Sequence, residues 1–166
     1  MRRGPLFPRR VQVGRLVFRD PLPACGLLYL LLYFDSSQFL RIGLLAACLH
    51  ECGHILAFWT LFRRLPIIEV TVTGFCMQTR GCRMGAGQRF YLAAAGPAAN
   101  ALLALLAWAQ ASRQFTAWGA AFWAANVLTG LFNLLPIPPL DGAQMLAAAL
   151  ERCRTGRNDK LHSPFK

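Results

Sequence analysis

Residues 50–54 read His-Glu-Cys-Gly-His. From Ile42 to Phe62 the only ionisable side chains, two cysteines apart, are His50, Glu51 and His54. On a helix, residues four apart share a face, so both imidazoles can bind one metal ion. Glu51 lies one residue on, about 100° round the axis, where it can reach a metal-bound water without being a ligand. Zinc is the usual metal for two histidines and a carboxylate, with one position left open for water. It lowers the pKa of that water to about 7, and a carboxylate beside it can take the proton. Such a pair supplies hydroxide for attack on a peptide carbonyl. The competing reading is a polar cluster that glues helices together. Each ionisable group at the centre of a membrane helix costs about 2.5–3.5 kcal/mol, whereas Ser or Asn does the same gluing more cheaply.

A metal needs a third protein ligand, and the chain has seven acids. Asp20 and Asp35 flank an apolar segment, Glu151 and Asp159 lie in the basic tail, and Glu69 falls in a β-branched stretch. Asp141 remains, at the end of "PIPPLDG". From spacing alone it is as well placed to cap a following helix as to ligate a metal. The prolines there lack N–H groups and bias their neighbours to extended geometry. Irregular backbone at membrane depth is tolerated only where protein covers it or it lines a wet cavity, so a cavity is expected near residues 136–141.

The elements that must hold these residues are mostly apolar. The 166-residue chain is 55% hydrophobic and 15% charged, against a usual charged share of roughly 25%. Four apolar stretches stand out, giving spans over 21–34, 42–62, 90–111 and 115–135. The second and third match the roughly 20 residues a helix needs to cross a bilayer. The first is short enough to be re-entrant or interfacial. Between spans two and three, β-branched residues such as Ile67, Ile68, Val70, Val72 and Thr73, with Gly74 and Gly81 as turns, predict a strand pair over about 66–80. "AAAGPAANALLALLAWA", residues 93–109, is a small-residue helix suited to close packing, loosened at Pro97. Helical character resumes over 142–150.

A net charge of +11 raises nucleic acid as a partner, but its distribution argues against it. Six arginines precede residue 20, five lie between spans two and three, and five Lys or Arg follow residue 151. Only Arg41 and Arg113 occupy the other two loops. That asymmetry fits four spans with both termini cytoplasmic. A cleaved signal peptide over 1–34 is disfavoured, because the basic leader is long and no small-residue cleavage pattern precedes "FDSSQ". The six cysteines form no C-x-x-C pair and mark no disulfide framework. Cys48 and Cys52 sit two positions either side of His50, on the side of the helix away from it. His162 needs no role. Trp108, Trp118 and Trp123 suit membrane-interface anchors, and Asn126 a helix-to-helix hydrogen bond.

Three motifs in order, "HECGH", "AGPAAN" (95–100) and "NLLPIPPLDG" (133–142), resemble the site-2 protease family of intramembrane zinc metalloproteases over residues from about 40 to 145. The resemblance implies one Zn2+ per chain held by His50, His54 and Asp141, with Glu51 activating water. It implies that Asn133 places substrate or polarises its carbonyl, that Pro136 and Pro138 hold the break open, and that Asn100 lines the site. In that family the membrane-dipping strands are thought to guide substrate, and "EVTVT" is the stretch here suited to pairing with an unwound segment. One departure is Ala143, where many members continue D-G-G. Short bacterial members of the sporulation type are nearest in layout, but that type usually carries an extra C-terminal domain, which is not expected here.

The expectation is an all-α polytopic membrane protein of about four transmembrane helices with a small β-strand insertion. A basic N-terminal segment, 1–20, would precede a membrane-embedded core, 21–150, and a basic tail, 151–166. The activity would be hydrolysis of a peptide bond in or near a transmembrane segment of a membrane protein, in a bacterial cell membrane. A regulatory membrane partner or a second copy of the chain would be a further partner beside the substrate and the lipid bilayer. The alternative is a non-catalytic membrane binding or scaffold protein that keeps the fold.

Overall fold

The computed structural model describes residues 10–71, 74–78 and 82–161. Five helices and a four-stranded sheet follow in the order β1 (Arg10–Val13), β2 (Leu16–Arg19), α1 (Pro21–Phe34), α2 (Phe39–Phe62), β3 (Ile67–Thr71), β4 (Gly74–Gln78), α3 (Ala86–Ala111), α4 (Ala117–Asn133) and α5 (Asp141–Leu161).

The expected strands between the second and third apolar helices are present, but they are half of the sheet. Residues 10–19, expected as a plain basic segment, form a hairpin that extends it in the order β1-β2-β3-β4. Gly14, at φ 62°, makes the turn, a conformation glycine adopts without steric cost. β2 pairs parallel to β3, Leu16 with Ile68 and Phe18 with Val70. Such pairing needs a long crossover, here α1 and α2. Val17 is fully buried beneath it, the Arg15 guanidinium donates to the Leu65 carbonyl, and Arg19 Nε lies 3.1 Å from Glu69 Oε1. β3 is therefore paired on both sides, by β2 and β4. Glu69–Thr71 of "EVTVT" are therefore not the exposed strand edge the sequence suggested, and within the described residues the sheet ends on β1 and β4. Val72 lies outside the described residues.

The helices are inside out relative to a water-soluble bundle. Leu102, Leu105, Leu106, Leu128, Leu131 and Phe132 are all exposed, while most of the buried positions are small or polar. In α2 they are Ile42, Ala46, His50, His54, Ala57 and Phe58, a stripe of near-fourfold spacing that carries both histidines inward. In α3 they are Leu92, Ala93, Gly96, Pro97, Asn100 and Ala104. The helix continues through Pro97 without a break. Ala57, Phe58 and Leu92 form a small apolar core, against which Phe62, Met77 and Met84 pack.

Two helices, α2 and α3, are long and apolar enough to cross a membrane. α1 matches its expected bounds but has only 14 residues and buries none of them. At 1.5 Å per residue it reaches about 21 Å, short of the roughly 30 Å of hydrocarbon. Its link to α2 is a tight turn. Asp35 Oδ1 accepts from the Ser37 hydroxyl at 3.0 Å and Oδ2 from the Arg41 amide at 3.2 Å. Desolvation pushes the Asp35 carboxyl up, but the amides of Arg41 and Leu40 and the Ser37 hydroxyl outweigh it and hold its pKa below the ordinary value.

Beyond α4 the proline-rich piece is irregular, as its residues require. It is folded into turns rather than extended: the Ile137 amide donates to Leu135 O at 2.8 Å, and that of Leu140 to Ile137 O at 2.9 Å. The Pro138–Pro139 bond is cis. α5 then runs to Leu161, well past the short helix expected over 142–150, and Arg89 of α3 pairs with its Glu151.

Candidate metal centre

Because α2 turns His50 and His54 inward and α5 begins at Asp141, three potential ligands from distant parts of the chain meet. Nε2 of His50 lies 3.0 Å from Asp141 Oδ2, and Nε2 of His54 lies 3.2 Å from the same oxygen. The two Nε2 atoms are 3.1 Å apart. All three residues are buried. Asp141, equally placed by spacing to cap or to ligate, opens α5 and also faces both imidazoles.

The triangle fits zinc. Tetrahedral coordination at about 2.0–2.2 Å puts neighbouring ligand atoms about 3.3–3.6 Å apart, slightly wider than the three edges here, which a small outward shift of each side chain would supply. Both histidines are also prepared for it. His54 Nδ1 donates to the Leu92 carbonyl at 2.8 Å, and His50 Nδ1 to Asn100 Oδ1 at 2.5 Å. With Nδ1 carrying the hydrogen, each Nε2 is left with a lone pair able to ligate an ion, as hydrogen bonds to the far ring nitrogen arrange in metal sites generally.

Close packing shapes the pocket. A Cβ on Gly96 would overlap the rings of both His50 and His54, so only glycine lets α3 form the wall behind them. A Cβ on Gly53 would stand 2.7 Å from Ala95 O and 2.9 Å from Ala99 Cβ, which brings α2 and α3 into direct backbone contact at this level. Gly142 faces the Leu134 and Leu135 carbonyls, where any side chain would collide. The second residue of the D-G pair is thereby explained, and Ala143 is not placed under that constraint.

Glu51 is half-buried on α2, adjacent in sequence to His50. Asn100 is fully buried, with its amide nitrogen 2.9 Å from Asn126 Oδ1. Asn133 sends its amide nitrogen to Thr129 O at 3.0 Å and borders a shallow apolar groove of about 560 Å³ with Leu128, Thr129, Phe132 and Leu135. Pro136 and Pro138 are exposed in the connector between α4 and α5. Cys48 and Cys52 are exposed away from the centre, as their spacing predicts, and the described cysteines are free. Sequence reasoning missed Leu92, Gly53 and Gly96 as builders of this site, while Asn126 makes the helix-to-helix hydrogen bond expected of it, to Asn100. The glycines and Asn126 had a signal, their place at helical spacing on the buried stripes. A backbone carbonyl has none.

With this geometry in hand, comparison with known proteins is informative. Residues 107–163, roughly a third of the chain, match the family model of Peptidase family M50. That stretch contains Asn126, Asn133, the prolines and Asp141. Among solved structures, the site-2 protease from Methanocaldococcus jannaschii superposes with a TM-score of 0.59 at 17% identity, over 86% of this chain and 71% of that one. The chain has the site-2 protease fold. The resemblance drawn from the three sequence motifs is thereby shown by fold and by family model together. Comparison with curated proteins yields no match. Within the site-2 protease fold, His50, His54 and Asp141 are a group able to hold a metal ion, and the M50 match supports a peptidase.

Proposed function

We propose that this protein is an intramembrane zinc metalloprotease that cleaves a peptide bond in or near a transmembrane segment of a membrane protein. The observation that carries the proposal is the buried convergence of His50 Nε2, His54 Nε2 and Asp141 Oδ2 within 3.2 Å of one another, on helices otherwise dressed for lipid. His50, His54 and Asp141 hold the zinc. Bound there, the ion supplies Lewis-acid activation of water and of the scissile carbonyl. Glu51 takes the proton from the attacking water and returns it to the departing amine nitrogen. Asn133, at the end of α4 beside its groove, holds the substrate carbonyl, and Pro136 and Pro138 keep the connector from closing into helix.

Water must reach a site surrounded by hydrocarbon, and a substrate helix must unwind there, because its carbonyls are otherwise engaged in intrahelical bonds. The edge of β4, which ends the sheet among the described residues, is a better place than β3 for an unwound segment to add as a further strand. Four membrane crossings with both ends on the cytoplasmic side accommodate the basic hairpin, the α2–α3 loop and α5 together. α1 and α4 cross where the bilayer thins locally around short helices.

Glu51→Gln tests the assignment. Cleavage of a single-span substrate should fall by about 10²–10⁴-fold while one zinc per chain is retained. A variant that cleaves as well as wild type would remove Glu51 from the chemistry. A protein that binds zinc but cleaves no membrane substrate in either form would be the non-catalytic binding protein instead.

A further inference from the structure

The hydrogen bonds behind His50 do not stop at Asn100, and their far end is unambiguous. Phe122 O, in α4, is a backbone carbonyl and can only accept. Asn126, one turn later, must therefore present its amide nitrogen to it, at 2.8 Å. That leaves Asn126 Oδ1 facing α3, where it accepts from Asn100 Nδ2 at 2.9 Å. The Asn100 amide nitrogen is held from a second side by Ala46 O at 3.3 Å. Asn100 Oδ1 is consequently the atom turned toward His50, and an amide oxygen cannot donate. Nδ1 of His50 must carry the hydrogen, and in a neutral imidazole Nε2 is then bare.

We propose that Asn126 is a positioning residue for the metal centre, acting through Asn100 to fix the tautomer of His50. The proposal rests on the zinc reading above. Asn100 and Asn126 are both fully buried, so no solvent substitutes for either bond. His54 reaches the same protonation pattern in one step, from Leu92 O. His50 reaches it through two amides spanning three helices. Without the Asn126 oxygen, the Asn100 amide keeps the longer bond to Ala46 alone, and the reversed amide becomes accessible. Reversed, it offers N–H to His50 Nδ1 and selects the tautomer with hydrogen on Nε2, which cannot ligate. A residue that merely glued α4 to α3 would affect stability and leave metal affinity unchanged.

The test is zinc affinity of the full-length protein in detergent, measured by competition with a chromophoric chelator. Wild type and His54→Ala first locate the ion: wild type binds one zinc and His54→Ala loses it. Asn126→Ala should then weaken zinc about tenfold, the scale of outer-shell substitutions. Because the two asparagines act in series, Asn100→Ala/Asn126→Ala should bind no more weakly than Asn100→Ala alone. Asn126→Asp keeps an oxygen for Asn100 and should stay within about threefold of wild type. If Asn126→Ala fails to fold, Asn126→Leu fills the same volume without the oxygen and takes its place beside Asn126→Asp. An affinity unchanged in Asn126→Ala or Asn126→Leu, or losses that multiply in the double variant, overturns the relay while leaving the zinc site intact. A wild type that binds no zinc overturns both.

Discussion

Gly96 is the surface against which His50 lies: a Cβ on this glycine would stand 2.5 Å from His50 Nε2 and 2.6 Å from Cε1. The ligand rings of α2 thus rest on the bare backbone of α3. Gly96→Ala should displace both imidazoles and weaken zinc by about 100-fold, the upper end of outer-shell effects. Chelator competition measures it. Wild-type affinity in a folded Gly96→Ala protein would mean that the rings sit elsewhere.

The third ligand depends on a different close approach. Gly142→Ala would drive a methyl group into the Leu134 carbonyl and shift the start of α5, with Asp141 on it. Zinc affinity should fall about tenfold. Ala143→Gly, one residue on and free of that collision, should leave zinc affinity and cleavage within about twofold of wild type. Equal effects of the two changes would remove the connector packing from the account.

An ion held by two helices stabilises the folded state over the unfolded one. At a free zinc concentration 100 times the dissociation constant the gain is about 2.7 kcal/mol, read as a rise in the thermal unfolding midpoint in detergent. His54→Ala and Asp141→Ala should unfold at the same temperature with and without zinc. A zinc-dependent rise that survives in both variants would place the ion at another site.

The proposed topology makes opposite sides chemically distinguishable. Single cysteines replacing Ser36 and Gln114, both exposed, should react in intact cells with a membrane-impermeant maleimide. Native Cys153, and a cysteine replacing Arg83, should react only after permeabilisation. Labelling of Cys153 from outside would move α5 across the membrane and rule out the four-span arrangement.

Most of the centre was legible in the sequence because its signals are local. Two imidazoles four residues apart need only a helix, and Asp141 stood out because the chain has so few acids. What spacing could not decide was whether Asp141 caps or ligates, since that depends on α5 folding back beside α3. Helix bounds came out early at Phe39 and Ala86, where Arg41 and Arg89 had suggested that spans begin. A charge ends a membrane crossing without ending a helix. The N-terminal hairpin was missed for a related reason. "RVQVGRLVFR" alternates around Gly14 as a hairpin should, but its arginines drew attention to which side of the membrane it occupies. Asn126 lies seven residues before Asn133 on an apolar helix. A lone amide there fits a simple helix-to-helix bond, and its connection to Asn100 exists only in three dimensions.

Asp141 meets His50 from 91 positions along the chain and His54 from 87. A nascent polypeptide that has reached Leu140 possesses both imidazoles, their carbonyl and amide supports, and four of the five helices, yet lacks the carboxylate that closes the triangle. The triangle able to hold a metal ion is therefore completed late in synthesis, only after the ribosome has delivered the start of α5.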